Sequence, residues 1–235
     1  MNKKFESHCK INENNKSKYD VYFLHGFTSR KIHQDPVAVQ FRKDFTVIQC
    51  DARGHGANKE GHKEDWIQTI EDYERLMKER NKPSILIGHS MGATMALSIF
   101  ARNRSGTIEK AFVISGVHGK SLLDTNEKKD KFRKIYDYDN KANMSDIKNI
   151  IKALPENFAK CDDRSKDIYL IHSKADKLVT FDQFQQNKEE YCVPNKNTLV
   201  YDDLPINDHI MPFYNQRTIK FIKREIKKDL INKHL

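Results

Sequence analysis

Near the middle of the chain a short apolar run, Ser84 to Ile87 (SILI), lies between Pro83 and Gly88. It leads directly into Gly88-His89-Ser90-Met91-Gly92 and then a nearly all-apolar stretch from Ala93 to Ala101. Two glycines around a serine arise by chance, so the motif means little alone. Its context constrains the fold: a buried strand, a tight turn and a buried helix, in that order. Such a turn holds the serine in a strained conformation with its hydroxyl clear of the sheet, and flanking glycines avoid clashes with neighbouring backbone. The helix behind it points its first N–H groups at negative charge developing beside the serine. The competing reading of the same residues is a structural turn bordered by glycines.

Five more runs read as strands: 19–24 (YDVYFL), 45–50 (FTVIQC), 111–114 (AFVI), 168–171 (IYLI) and 198–201 (TLVY). Helical patterns lie between them. Trp66, Ile70, Tyr73 and Met77 share one face of a segment ending before Pro83, and 182–191 and 212–230 give two more. Strands alternating with helices predict a parallel sheet covered on both faces, with ligands bound beyond the carboxyl ends of the strands. Residues 120–164 break the alternation. They are polar, with small apolar clusters at Phe132, Ile135 and Tyr136 and at Ile147, Ile150, Ile151 and Leu154. This predicts a helical cap or lid inserted in a single domain spanning 1–235. The first eighteen residues are polar and can supply an edge strand.

No apolar run approaches a membrane span, and the first ten residues (MNKKFESHCK) lack the apolar core of a signal peptide. Cys9, Cys50, Cys161 and Cys192 are scattered and form no C-x-x-C pair. They read as four free thiols in a reducing, cytoplasmic compartment, with no metal site. The formal net charge is +9, and its densest cluster is Lys220, Lys223, Arg224, Lys227 and Lys228. These alternate with Ile219, Ile222, Ile226 and Leu230 at helical spacing. That predicts a terminal helix with one buried stripe and a solvated basic face, and no nucleic-acid partner.

Two further motifs follow predicted strands: His25-Gly26-Phe27 and Asp51-Ala52-Arg53-Gly54-His55-Gly56. With Gly88 to Gly92 they resemble the α/β-hydrolase superfamily, especially its small esterase, lipase and thioesterase members, over nearly the whole chain from Tyr19. The resemblance implies an α/β-hydrolase fold: a mostly parallel central sheet flanked by helices, with a small helical cap and no cofactor. It implies oxyanion-hole N–H groups at Phe27 and Met91, and a structural turn at 51–56 near the site mouth. It also implies the chain order serine, acid, histidine.

The expected acid is Asp176, in His172-Ser173-Lys174-Ala175-Asp176 after the fifth run. The family usually carries glycine where Ser173 stands. Asp202 and Asp203 are the rivals, Asp167 precedes the strand at the wrong end of the sheet, and Asp182 reads as a helix cap. The expected base is His209, after the last strand and before the final helix. His25 reads as a loop-shaping residue and His172 as a wall or core residue. His62 and His118 fall in loops, with His118 a candidate pocket-lining residue, and His234 lies in the tail.

A serine hydroxyl is a poor nucleophile at neutral pH without a base and an orienting acid. Ser90, His209 and Asp176 would supply all three. The function expected is a carboxylesterase-like serine hydrolase working through an acyl-enzyme on Ser90, with a small-molecule ester substrate. The alternatives are a thioesterase acting on an anionic acyl thioester, which the +9 charge mildly favours, and a receptor-like member with little turnover. The sequence sets neither the acyl specificity nor the oligomeric state.

Overall fold

Strands that are apolar on consecutive residues need cover on both faces, and that requirement shapes the whole chain. The computed structural model describes residues 3–62, 65–103, 106–116, 163–202, 204 and 208–232. Seven strands form one sheet: β1 (Cys9–Asn12), β2 (Asp20–Leu24), β3 (Thr46–Cys50), β4 (Ser84–His89), β5 (Ile108–Ile114), β6 (Ile168–Ser173) and β7 (Thr198–Tyr201). Their order is β1-β3-β2-β4-β5-β6-β7, with β1 antiparallel at the edge and the rest parallel. The edge strand comes from the polar N-terminal segment, as expected.

The helices are α1 (Lys3–Glu6), α2 (Asp35–Ala38), α3 (Trp66–Arg80), α4 (Met91–Arg102), α5 (Phe181–Glu190), α6 (Met211–Tyr214) and α7 (Gln216–Asn232). They divide between two apolar cores. Tyr22, Leu24, Ile48 and Leu86 pack on one face of the sheet with α1, α3, α4 and α5. Val21, Phe23, Ile85 and Ile87 pack on the other with α2, α6 and α7. Successive strand residues thus enter opposite cores, each large side chain worth about 1.5–3 kcal/mol of burial. α3 ends at Asn81, whose left-handed conformation (φ 50°, ψ 40°) stops the helix two residues before Pro83.

The structure corrects several expectations. β4 and β6 run two residues further than the apolar runs, because Gly88 and His89 still pair with Val113 and Ile114, and His172 and Ser173 with Val200 and Tyr201. The single terminal helix is two helices: Asn215 is extended (ψ 133°) and its Oδ1 accepts the Arg217 N–H at 2.8 Å, opening α7 afresh. The cap of α5 is Thr180, not Asp182. Its hydroxyl accepts the Gln183 N–H while the Gln183 side chain accepts the Thr180 N–H, a reciprocal capping box. The basic face of α7 is partly tied down, with Lys223 and Lys227 at 2.9 and 3.3 Å from Asp44. The cap expected over 120–164 lies outside the described residues except for Asp163 and Arg164.

The cysteines are not four free thiols. Cys9 of β1 and Cys50 of β3 face each other across the antiparallel pair and are joined by a disulfide, and Cys192 is disulfide-bonded too. Sequence spacing misled because these partners meet only once the edge strand pairs. The reducing-compartment reading loses the observation it rested on. Among the described residues no helix is long and apolar enough to cross a membrane. The bond closes a sequence separation of 41 residues. Replacing both cysteines by serine is therefore expected to lower stability by about 2–4 kcal/mol, read as a shift in urea midpoint. An unchanged midpoint would show that the bond adds nothing to β1 docking.

Candidate active site

The chain runs from β2 to β3 on one side and returns to β4 on the other, so the topology reverses between β2 and β4. Crevices at such a reversal are where parallel sheets bind ligands. Gly26 and Phe27 follow β2 there, and Ser90 follows β4. Ser90 has φ 54° and ψ −119°, a conformation few non-glycine residues adopt, between the last residue of β4 and the first of α4. The close approach of strand and helix explains the flanking glycines. A Cβ on Gly88 would overlap the Gly92 carbonyl, and one on Gly92 would overlap the carbonyl of Leu24.

Ser90 Oγ lies 3.0 Å from His209 Nε2, and His209 Nδ1 lies 2.8 Å from Asp176 Oδ2. Asp176 sits beyond β6, with its Oδ1 accepting the N–H groups of Leu178 (2.8 Å) and Val179 (3.0 Å). Burial pushes its carboxyl up, but the hydrogen bond and charge of His209 and the Val179 N–H hold it below the usual carboxylate range. An ionised Asp176 takes the Nδ1 proton as its hydrogen bond. That leaves the Nε2 lone pair for the serine hydroxyl.

The surroundings hold His209 in place. His89 donates from Nε2 to the His209 carbonyl at 2.9 Å, and its own burial, with His209 beside it, lowers its pKa to about 4. Ser173, where the family usually has glycine, donates its hydroxyl to Asp208 Oδ1 at 3.1 Å, next to the imidazole. Motif reading could find neither contact. His89 occupies the unspecified position of G-x-S-x-G, and Ser173 stood out only as a departure.

The segment after β2 is braced from behind. His25 donates from Nδ1 to the Gly26 carbonyl (2.8 Å) and accepts the Ala52 N–H at Nε2 (3.0 Å). Burial lowers its pKa to about 4, so it is a neutral loop-shaping ring. His55 places its two nitrogens against the carbonyls of Arg53 and Phe27, tying the 51–56 turn to the loop that carries Phe27. Asp51 accepts from the Lys31 N–H (2.8 Å), Lys31 Nζ (2.5 Å) and the Ala57 N–H (2.9 Å). Arg53 grips Asp72 with two donors, at 2.7 and 3.2 Å. Met91 is buried and opens α4, where first-turn N–H groups have no intrahelical acceptor. Ser90, His209 and Phe27 share a cavity of about 300 Å³.

The other sequence candidates lie apart. Asp202 is exposed and paired with Lys174 at 2.7 Å. Asp167 precedes β6, 4.0 Å from Lys110, and Asp182 is in the first turn of α5. His172 stacks on Phe184 with ring centroids 5.1 Å apart, as a wall residue would. His62 is in an exposed loop whose backbone N–H meets Asp65. Asp203, His118 and His234 lie outside the described residues. Among the described residues no group of three His, Cys, Asp or Glu side chains could hold a metal.

Residues 15–120 match a family model described as serine aminopeptidase, S33. A curated protein of Mesorhizobium japonicum, 2-(acetamidomethylene)succinate hydrolase, is 30% identical over 86 residues, or 35% of this chain. The chain spans 30% of that relative's length. Among solved structures, a lipase-esterase related protein from Clostridium acetobutylicum superposes with a TM-score of 0.62 at 19% identity, covering 94% of this chain and 98% of that one. Mouse alpha/beta hydrolase domain-containing protein 10 superposes with a TM-score of 0.68 at 18% identity, covering 97% and 94%. These likenesses support a hydrolase with this sheet and helix arrangement. By its sheet order, its strand-to-helix serine turn and these superpositions, the chain has the α/β-hydrolase fold.

Proposed function

We propose that the chain is a serine hydrolase that cleaves carboxylic esters through an acyl-enzyme on Ser90. The observation that carries this reading is the continuous run of hydrogen bonds from Asp176 through His209 to Ser90, at 2.8 and 3.0 Å, opening into a cavity. His209 Nε2 takes the hydroxyl proton as Ser90 Oγ attacks the ester carbonyl. Asp176 keeps the ring in the tautomer that can accept it and stabilises the imidazolium. The tetrahedral oxyanion is held by the Phe27 and Met91 N–H groups, and losing one such donor typically costs about 10²–10³ in rate. His209 returns the proton to the leaving alcohol, then activates water to release the acid.

The activities of the similar proteins support hydrolysis in general, and the ester is the narrower proposal within it. The cavity favours it over an anionic thioester, since none of its described lining residues is Lys or Arg. A fluorophosphonate probe is expected to form one adduct, mapped to Ser90, and p-nitrophenyl acetate to give a burst of p-nitrophenol equal to the enzyme added. Failure to label would overturn the reading. Stoichiometric labelling with no turnover across an acyl-chain panel would favour a receptor.

A further inference from the structure

Among the described residues lining the cavity beside Ser90 is a buried polar side chain whose hydrogen-bonding capacity is unspent. Gln34 lines it and is 2% exposed, yet neither Nε2 nor Oε1 has a hydrogen-bond partner. Native structures leave few such groups, because a buried donor or acceptor without a partner costs its full desolvation. The backbone around it is not loose. Gln34 ends a helical turn, Lys31–Gln34, held on several sides. The Lys31 N–H reaches Asp51 at 2.8 Å, the Lys31 carbonyl accepts from Gln49 at 3.0 Å, and the His33 carbonyl accepts from the Tyr214 hydroxyl at 2.7 Å. Asp35, the next residue, is paired with Lys10 and Arg42. A fixed turn thus presents a side chain that the protein itself does not satisfy.

The chemistry missing at Gln34 is one acceptor for its NH₂ and one donor for its carbonyl. A carboxamide or peptide group offers that pair in the matching geometry. A carboxylate offers acceptors only and, once buried, needs a countercharge. The described lining residues include no Lys, Arg, Asp or Glu. We propose that Gln34 is the specificity-determining residue of the Ser90 cavity, and that the preferred substrate is a neutral ester bearing a carboxamide or peptide group away from the scissile bond. This rests on the esterase reading above.

The test uses two series of esters, one varying the acyl side (p-nitrophenyl ω-carbamoylalkanoates) and one the alcohol side (acetates of ω-hydroxyalkanamides). Each is paired with the isostere carrying isopropyl in place of the carboxamide. In at least one series the wild type should favour the carboxamide by about tenfold or more in kcat/KM, the discrimination typical of a site whose polar groups would otherwise stay unpaired. Gln34→Met should bring that ratio close to one; the ratio, not the absolute rate, is the readout. The same variant should melt no lower than the wild type, because it removes a buried group that nothing bonds. A wild-type ratio near one in both series, a ratio unmoved by Gln34→Met, or a clear drop in melting temperature would each overturn the inference. A wild type that neither labels with fluorophosphonate nor turns over p-nitrophenyl acetate would instead sink the esterase reading beneath it.

Discussion

Ser90→Ala and His209→Ala are each expected to lower kcat for p-nitrophenyl acetate by about 10⁶-fold, and Asp176→Asn by about 10⁴-fold, with the folds intact. The first two remove the attacking oxygen and the group that takes its proton. The third is informative because it changes almost no shape. Asp176 Oδ1 accepts the Leu178 and Val179 N–H groups while Oδ2 faces His209 Nδ1. An asparagine must keep its oxygen toward those two donors, so its NH₂ turns to Nδ1. The ring then accepts at Nδ1 and carries its proton on Nε2, the tautomer that cannot receive the Ser90 proton. Double variants should be little worse than single ones, since the three side chains act as a unit. The measurements are steady-state turnover with circular dichroism as the control for folding. Near-normal turnover in Asp176→Asn would return the acid role to Asp202 or Asp203. Against Asp202 stands its exposure and its pairing with Lys174.

Much of this arrangement was legible in the sequence, for a physical reason. Strands buried on both faces must be apolar on consecutive residues, so β2, β3, β4 and β6 announced themselves, and the elements flanking Ser90 followed. The turn positions that hold Asp176 and His209 come at strand ends, which the same runs mark. What sequence hid depends on partners distant in the chain. Cys9 and Cys50 are an unremarkable pair until β1 lies antiparallel on β3. Lys223 and Lys227 look solvated until Asp44 is beside them. Gln34 looks like any surface glutamine, since nothing local shows that its turn is folded under the cavity. Other signals are local: Thr180-x-x-Gln183 is a capping box readable from sequence alone. Asn215, placed just before Gln216, had the makings of a cap that restarts a helix.

Gly92→Ala is expected to lower stability by about 3 kcal/mol or more, or to prevent folding, although it adds a single methyl group to a helix and improves local helix propensity. The reason is that the atoms a Cβ there would strike are all backbone: the carbonyls of Leu24 and His25 at the end of β2. Backbone cannot rotate aside as a side chain can, so α4 must move away from the sheet. That shift loosens Ala93, Ala96 and Leu97 in the core and displaces Ser90 at the helix start. Gly106 provides the comparison. A Cβ there meets nothing within 4 Å, and the only obstacle is its φ of +73°. Gly106→Ala should therefore cost only about 1 kcal/mol. Urea titration of the two variants separates close approach from backbone conformation as the reason for a glycine. If both lose the same small amount, the helix is not pinned against β2, and the tight turn would no longer account for the strained conformation of Ser90.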